Sequence, residues 1–278
     1  MKYILLLTSF CFGASVAFSG GGWIRPAGTL YAKLGVTTLS TNQFYASNGT
    51  LVTTANFTTQ TVQLYGEYGI AQDFSVVFDI PVFKRSKFET AEAASGFGDV
   101  GLEAKYGVLT GELPVALGIA FEVPTGDERA FARNLSNAQV ISFQPTGDGE
   151  FNTWVRVHAS RSFYPAPAFV SLDAGYNFRT KGLTNQYHVG FQVGYQFFDA
   201  VWLFGNLRRL ATAGTANTNL IFNSIGVGEG VEYTSYSVGI SYKVSEMFSV
   251  SADLASAFGG VRNIYSGANI GFGVAVEL

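Results

Sequence analysis

Cysteine is almost absent from this chain: Cys11 is the only one, and histidine occurs just twice. A disulfide framework and a zinc–thiolate site are therefore excluded. Charge is scarce as well, since Asp, Glu, Lys and Arg together make up 13% of the residues, about half the usual share. The net charge of -3 leaves no basic footprint for nucleic acid. No linker, charge run or low-complexity tract divides the 278 residues, so a single domain is expected. Beyond residue 17, no apolar run reaches the roughly 20 residues that a membrane helix needs.

What is plentiful is glycine, with 33 residues, and aromatic side chains, at 15% of the chain. Hydrophobic residues at 47% exclude a disordered chain. Residues 1–17 read as an export signal. Lys2 supplies the positive end, residues 3–12 the apolar core, and Ser15-Val16-Ala17 a small-x-small cleavage site. Cys11 lies inside this segment, so the expected mature chain, residues 18–278, carries no thiol.

Residues 96–150 set the pattern for the rest. Val100, Leu102, Ala104, Tyr106 and Val108 alternate with Gly101, Glu103, Lys105 and Gly107. Val115, Leu117, Ile119, Phe121 and Val123 then alternate with Ala116, Gly118, Ala120 and Glu122. A period of two means strands, and the short Gly-containing break at residues 110–114 means a hairpin. Residues 125–149 form a polar connection far longer than an ordinary loop. Strand, tight turn, strand, long loop recurs along the chain, giving about twelve strands of the 9–11 residues that a tilted membrane strand needs. The phase of residues 201–210 is ambiguous. The fold expected is all-β: a transmembrane antiparallel up-and-down barrel of about twelve strands, with short periplasmic turns and long extracellular loops.

A soluble sandwich would also alternate. Against it stand the aromatics that bracket the short turns (Tyr68, Phe74, Phe163, Tyr164, Phe197, Phe198, Trp202, Tyr242, Phe248), which suit an interfacial girdle. The polar phase is also rich in Gly and Ala, which suits a crowded lumen better than a solvated surface.

Gly96-Phe97-Gly98-Asp99-Val100, Lys105-Tyr106, Val123-Pro124-Thr125-Gly126-Asp127, Thr146-Gly147-Asp148-Gly149-Glu150 and Trp154 resemble the outer-membrane transporter-like family named after the phenol-degradation (MetA) pathway. Gly175-Tyr176-Asn177-Phe178-Arg179 fits the same pattern. The resemblance implies a barrel of the twelve-strand type that takes up small hydrophobic or aromatic compounds. Its expected partners are those solutes, the lipid and lipopolysaccharide of the outer membrane, and the barrel-assembly machinery. No cofactor is expected. One departure is the final residue, Leu278, where such barrels usually end in an aromatic.

The inward phase carries Lys33, Glu67, Asp79, Glu103, Lys105, Glu122, Arg156, His158, Asp173, Arg208, Lys243 and Asp253. Such groups either line a charged pathway or pair across strands to fill a narrow barrel. At the rim, Asp127, Asp148 and Glu150 are candidate partners for Arg129 and Arg133. Phe131, Leu135, Val140, Ile141 and Phe143 make the long loop apolar enough to fold over or into the barrel mouth. Asp127, Glu128, Asp148 and Glu150 could also gather oxygen ligands, but Gly-Asp pairs are more often turn formers, and no metal is expected. His158-Ala159-Ser160 resembles the His-x-Ser of barrel lipid A deacylases, yet this phase faces the lumen and no third orienting residue is evident, so no catalytic residue is expected. A lipid-acting enzyme, of deacylase or phospholipase type, and a closed structural or adhesive barrel are the alternatives. The stretch between residue 17 and the first strand is too short for a plug domain.

Overall fold

The computed structural model describes residues 21–217 and 228–278, so the expected export signal and Cys11 lie outside the described residues. Sixteen strands occur among them: β1 (Leu30–Tyr45), β2 (Leu51–Ala71), β3 (Phe74–Phe88), β4 (Ala93–Gly96), β5 (Val100–Leu109), β6 (Val115–Val123), β7 (Phe131–Arg133), β8 (Ile141–Phe143), β9 (Asn152–Ser162), β10 (Ala168–Phe178), β11 (Gln186–Phe197), β12 (Val201–Thr212), β13 (Glu232–Lys243), β14 (Phe248–Arg262), β15 (Ile264–Tyr265) and β16 (Asn269–Glu277). Twelve of them form an antiparallel ring in the order β1, β2, β3, β5, β6, β9, β10, β11, β12, β13, β14, β16. Strand β16 closes on β1, from Tyr31 opposite Glu277 to Leu39 opposite Asn269. Closure leaves no open edge, which is the condition for a sheet to stand in lipid.

Burial is inverted relative to a soluble protein. Leu34, Leu102, Leu117, Ile119, Val155, Val189, Val238 and Val274 face outward and are 42–54% exposed, while Glu67, Glu103, Lys105, His158 and His188 are 1–7% exposed. A water-soluble sandwich would place the first set inside and the second outside. The barrel therefore presents its apolar phase to lipid. Tyr68, Phe163, Tyr164, Phe197, Phe198, Tyr242 and Phe248 are exposed near the short turns, as an aromatic girdle requires.

Three expectations need correction. The Ser/Thr/Asn-rich stretch after Val36, which the recurring pattern of strand, tight turn, strand, long loop makes a long loop, is strand: β1 and β2 stay paired from Leu30 opposite Tyr68 up to Tyr45 opposite Leu51. Thr-rich sequence builds strand readily because Thr is β-branched, but with both faces polar it shows no hydrophobic alternation. Likewise β3 runs on to Phe88 and pairs with β4. Trp202, assigned to the girdle, instead points inward. It lies opposite Gln196, with Phe204, Asn206, Arg208 and Leu210 on the same inward phase of β12.

Candidate functional site: the lumen and its outer rim

From β2 to β11 the inward charges are partnered. Glu67 accepts from Ser75 Oγ at 2.6 Å and from Lys105 Nζ at 3.1 Å. Glu103 accepts from Arg156 at 2.8 Å and from His158 Nε2 at 2.8 Å, so one carboxylate holds two bases of β9. Asp173 pairs with His188 Nε2 at 2.8 Å. Glu122 accepts from Trp154 Nε1 and Asn152 Nδ2, each at 3.0 Å. Asp79 accepts from Gln63. Glycines make room for this: a side chain on Gly118 would collide with Glu103, and one on Gly190 with Asp173. His188 joins through the even-numbered polar phase of β11, where it was legible but unassigned.

The wall from β13 round to β16 differs. Its inward residues are mostly small, among them Ser237, Gly239, Ser251, Gly271 and Gly273. Lys33 lies along Gly273 and Asp253 along Gly271. Among the described residues, Lys33, Arg208 and Asp253 make no hydrogen bond or ion pair. Lys243, expected in the lumen, sits at a short turn, where it bonds Glu246 at 2.7 Å. The pairing reading thus fits one wall and the pathway reading the other.

The motif residues meet at the outer rim. Asp99 accepts the N–H of Gly126 at 2.9 Å and the N–H of Asp148 at 2.8 Å, so a single carboxylate clasps both Thr-Gly-Asp turns. Thr125 Oγ1 donates to the Gly98 carbonyl at 2.6 Å, and Asp127 N–H donates to Thr146 Oγ1 at 2.9 Å. The turns approach so closely that a Cβ on Gly126 would lie 2.7 Å from the Gly147 backbone, and one on Gly147 would collide with Asp99. Burial pushes the Asp99 carboxyl up, against the two N–H donors. Glu150, fully buried, is held by Arg179, which also donates to the Gly228 carbonyl at 3.1 Å. Burial pushes Glu150 up to about 7 despite Arg179, and the Asp148 and Glu229 carboxylates act in the same direction. A cavity of about 290 Å³ opens beside this knot, lined by Asp79, Lys84, Asp99, Glu122 and Thr146.

The long loop does not bury the side chains expected to close the mouth. Phe131, Leu135, Val140 and Ile141 are 48–62% exposed. They sit on the hairpin β7–β8, where Phe131 packs on Phe143 across the pair at 6.0 Å and Ala132 takes the buried side. What enters the rim is the polar base of the loop, with Gln144 and Thr146 fully buried. Nor do the loop arginines reach the rim acids. Arg129 lies 3.5 Å from Glu128 with its side chain 81% exposed, and Arg133 has no ion pair among the described residues. Arg179, a motif residue not counted as a candidate, takes Glu150 instead.

At the opposite end, residues 21–26 lie in the barrel mouth. Gly22 N–H donates to Ser160 Oγ at 2.8 Å, Trp23 packs edge-on against Phe169 at 5.7 Å, and Arg25 pairs with Glu277 at 3.0 Å. Phe169 in turn packs on Trp202 at 5.7 Å. The stretch is too short for a plug domain, yet six extended residues reach about 20 Å, enough to lie across a narrow barrel. A second aromatic group, Phe57, Phe88 and Tyr265, packs at 4.6–5.8 Å on the extracellular extension. Ser160 Oγ bonds Ser171 Oγ at 2.8 Å, and His158 Nε2 is engaged by Glu103, so His-Ala-Ser is not assembled as a nucleophile–base pair.

No protein-family model and no curated protein matches the chain. Solved structures do. The translocator domain of the autotransporter NalP from Neisseria meningitidis superposes with a TM-score of 0.53 at 10% identity, covering 95% of this chain and 91% of that one. The β domain of the Bordetella autotransporter BrkA gives 0.52 at 11% identity, covering 91% and 100%. An outer membrane channel from Pseudomonas putida F1 gives 0.72 at 14% identity, covering 94% of this chain and 99% of that one. The chain thus has the fold of an outer-membrane barrel over nearly its whole length, and is similar in that fold to an outer membrane channel.

Proposed function

We propose that this protein is an outer-membrane channel that passes small hydrophobic or aromatic compounds inward. The observation that carries the reading is the make-up of the lumen. Inward-facing aromatics stand toward both ends, Phe57 and Tyr265 at one and Phe169 and Trp202 at the other, with a charged, hydrogen-bonded girdle between them. Phe57, Phe169 and Tyr265 are themselves buried, so the ring surface that an apolar body crossing the polar barrel would meet is that of Trp202 and Phe204, both half-buried on the inward phase of β12. The fold shared with an outer membrane channel agrees with this. Export through the signal at residues 1–17, insertion by the barrel-assembly machinery, and contact with lipopolysaccharide belong to the same proposal.

The test is single-channel conductance in planar bilayers with benzyl alcohol added as blocker. Steady conductance with concentration-dependent block is expected, and a Trp23→Ala variant should show more frequent opening because the strap loses its contact with Phe169. A protein that folds yet neither conducts nor admits benzyl alcohol into liposomes would sink the reading and revive a closed structural barrel. Release of acyl chains from lipid A by the purified protein would replace it with an enzyme.

A further inference from the structure

We propose that Arg208 is a recognition point for the carboxylate of an aromatic acid, and that anionic aromatics are the preferred solutes of this lumen. The inference rests on the channel reading above and deepens it. Arg208 is exposed to the lumen at an inward position of β12, opposite Gly190 and Ser235. It is within electrostatic reach of Asp79, Asp173 and His188. Those groups are already committed: Asp173 bonds His188, and Asp79 bonds Gln63. The guanidinium therefore keeps its five donors without an acceptor among the described residues, whereas the inward basic side chains of β5, β9 and β11 (Lys105, Arg156, His158 and His188) are all held by carboxylates. A planar fork of this kind fits a carboxylate with two parallel hydrogen bonds.

Inward from β12 come Trp202, Phe204, Asn206, Arg208 and Leu210 in succession. Phe204 and Trp202 stand about 13–20 Å along the strand from Arg208, too far to touch an aromatic ring whose carboxylate the guanidinium holds, so they are separate stations on the same path. Asn206 is turned to Ser237 at 2.9 Å, which leaves the fork as the feature that discriminates by charge. The adjoining wall of Ser and Gly on β13, β14 and β16 gives clearance. Nearer the short turns, Lys33 on β1 is a second inward cation without an ion pair among the described residues; the carboxylates in the same condition are Asp253 and, held only by neutral donors, Asp79 and Glu122, so the attraction for an anion is local to the guanidinium and not a net charge of the lumen.

Block of single-channel current at pH 8 tests this, with benzoate, benzyl alcohol and trimethylphenylammonium as probes on the full chain. Because the Arg208 side chain makes no hydrogen bond or ion pair among the described residues, Arg208→Gln should fold, and a heat-modifiable gel shift checks that it does. Wild type should be blocked by benzoate at concentrations about tenfold lower than by benzyl alcohol, the size of one charge–charge interaction in a partly screened site. In Arg208→Gln the preference for benzoate should disappear while benzyl alcohol is unaffected, and Arg208→Lys should keep part of it. Benzoate block that is unchanged in Arg208→Gln would overturn the inference and leave the channel standing. Equal block by benzoate and trimethylphenylammonium in wild type would do the same. Absence of conductance and of block by every probe would overturn the channel reading, and this inference with it.

Discussion

At the scale of single residues the protein separates charges that hold it together from charges that are free to act. Glu103 belongs to the first kind. Replacing it with Ala leaves the part-buried Arg156 guanidinium without its counter-charge and His158 Nε2 without its acceptor, and the folded barrel should lose about 3 kcal/mol in a urea titration. Glu122 is held by neutral donors, Trp154 and Asn152, and lies off the small-residue wall. Glu122→Gln should therefore leave the reversal potential in a salt gradient unchanged. A loss of cation preference would instead mean that the acidic wall carries the current. Glu150 provides a pH test. Its carboxyl is raised in the fold to about 7 from an ordinary 4.5, so the folded rim holds its proton where the unfolded chain has lost it. That contribution is full below the ordinary value and is lost as pH rises through 7. Amide exchange at residues 146–150, corrected for intrinsic rates, should show more protection at pH 5 than at pH 8, and Glu150→Gln should flatten the difference.

At the scale of elements, much was legible and the failures have physical causes. Strands β5, β6, β9, β10 and β11 alternate apolar and polar side chains because one face meets lipid, so their phases could be read directly. The upper halves of β1 and β2 stand clear of the apolar band, so Thr58, Thr59 and Thr61 carry no facial signal and the stretch looked like a loop. The apolar residues of the long loop misled for the opposite reason. Phe131 and Ile141 share one face of a three-residue hairpin, a device too small to bury them. Deleting residues 130–142 should therefore leave conductance close to that of the parent, because the part of the loop that enters the rim is its polar base at Gln144 and Thr146. Asp99 stood in plain view within Gly-Phe-Gly-Asp. Its role could not be read because its partners lie 27 and 49 residues away, a distance no local pattern spans.

At the scale of the molecule, the inversion of burial is the property on which the other arguments depend, and it is open to direct attack. Arg at Leu102, Ile119, Val189 or Val250 should cost about 2–4 kcal/mol near mid-membrane, while Arg at Gly101 or Gln192, facing the lumen, should be far better tolerated. Equal sensitivity of both sets in a refolding titration would return the chain to the soluble sandwiches. The clasp at Asp99 has a consequence for how such a ring is assembled without error. Strands that alternate so regularly could pair equally well two residues out of step, since every side chain would keep its face. A slip of that size between β5 and β6 would carry Gly126 about 7 Å from Asp99, and a slip between β6 and β9 would carry Asp148 off by as much. The clasp then cannot close, and the carboxylate stays hydrated. One aspartate thus acts as a vernier for three strands, telling the intended alignment from near-copies that the hydrophobic pattern alone would accept.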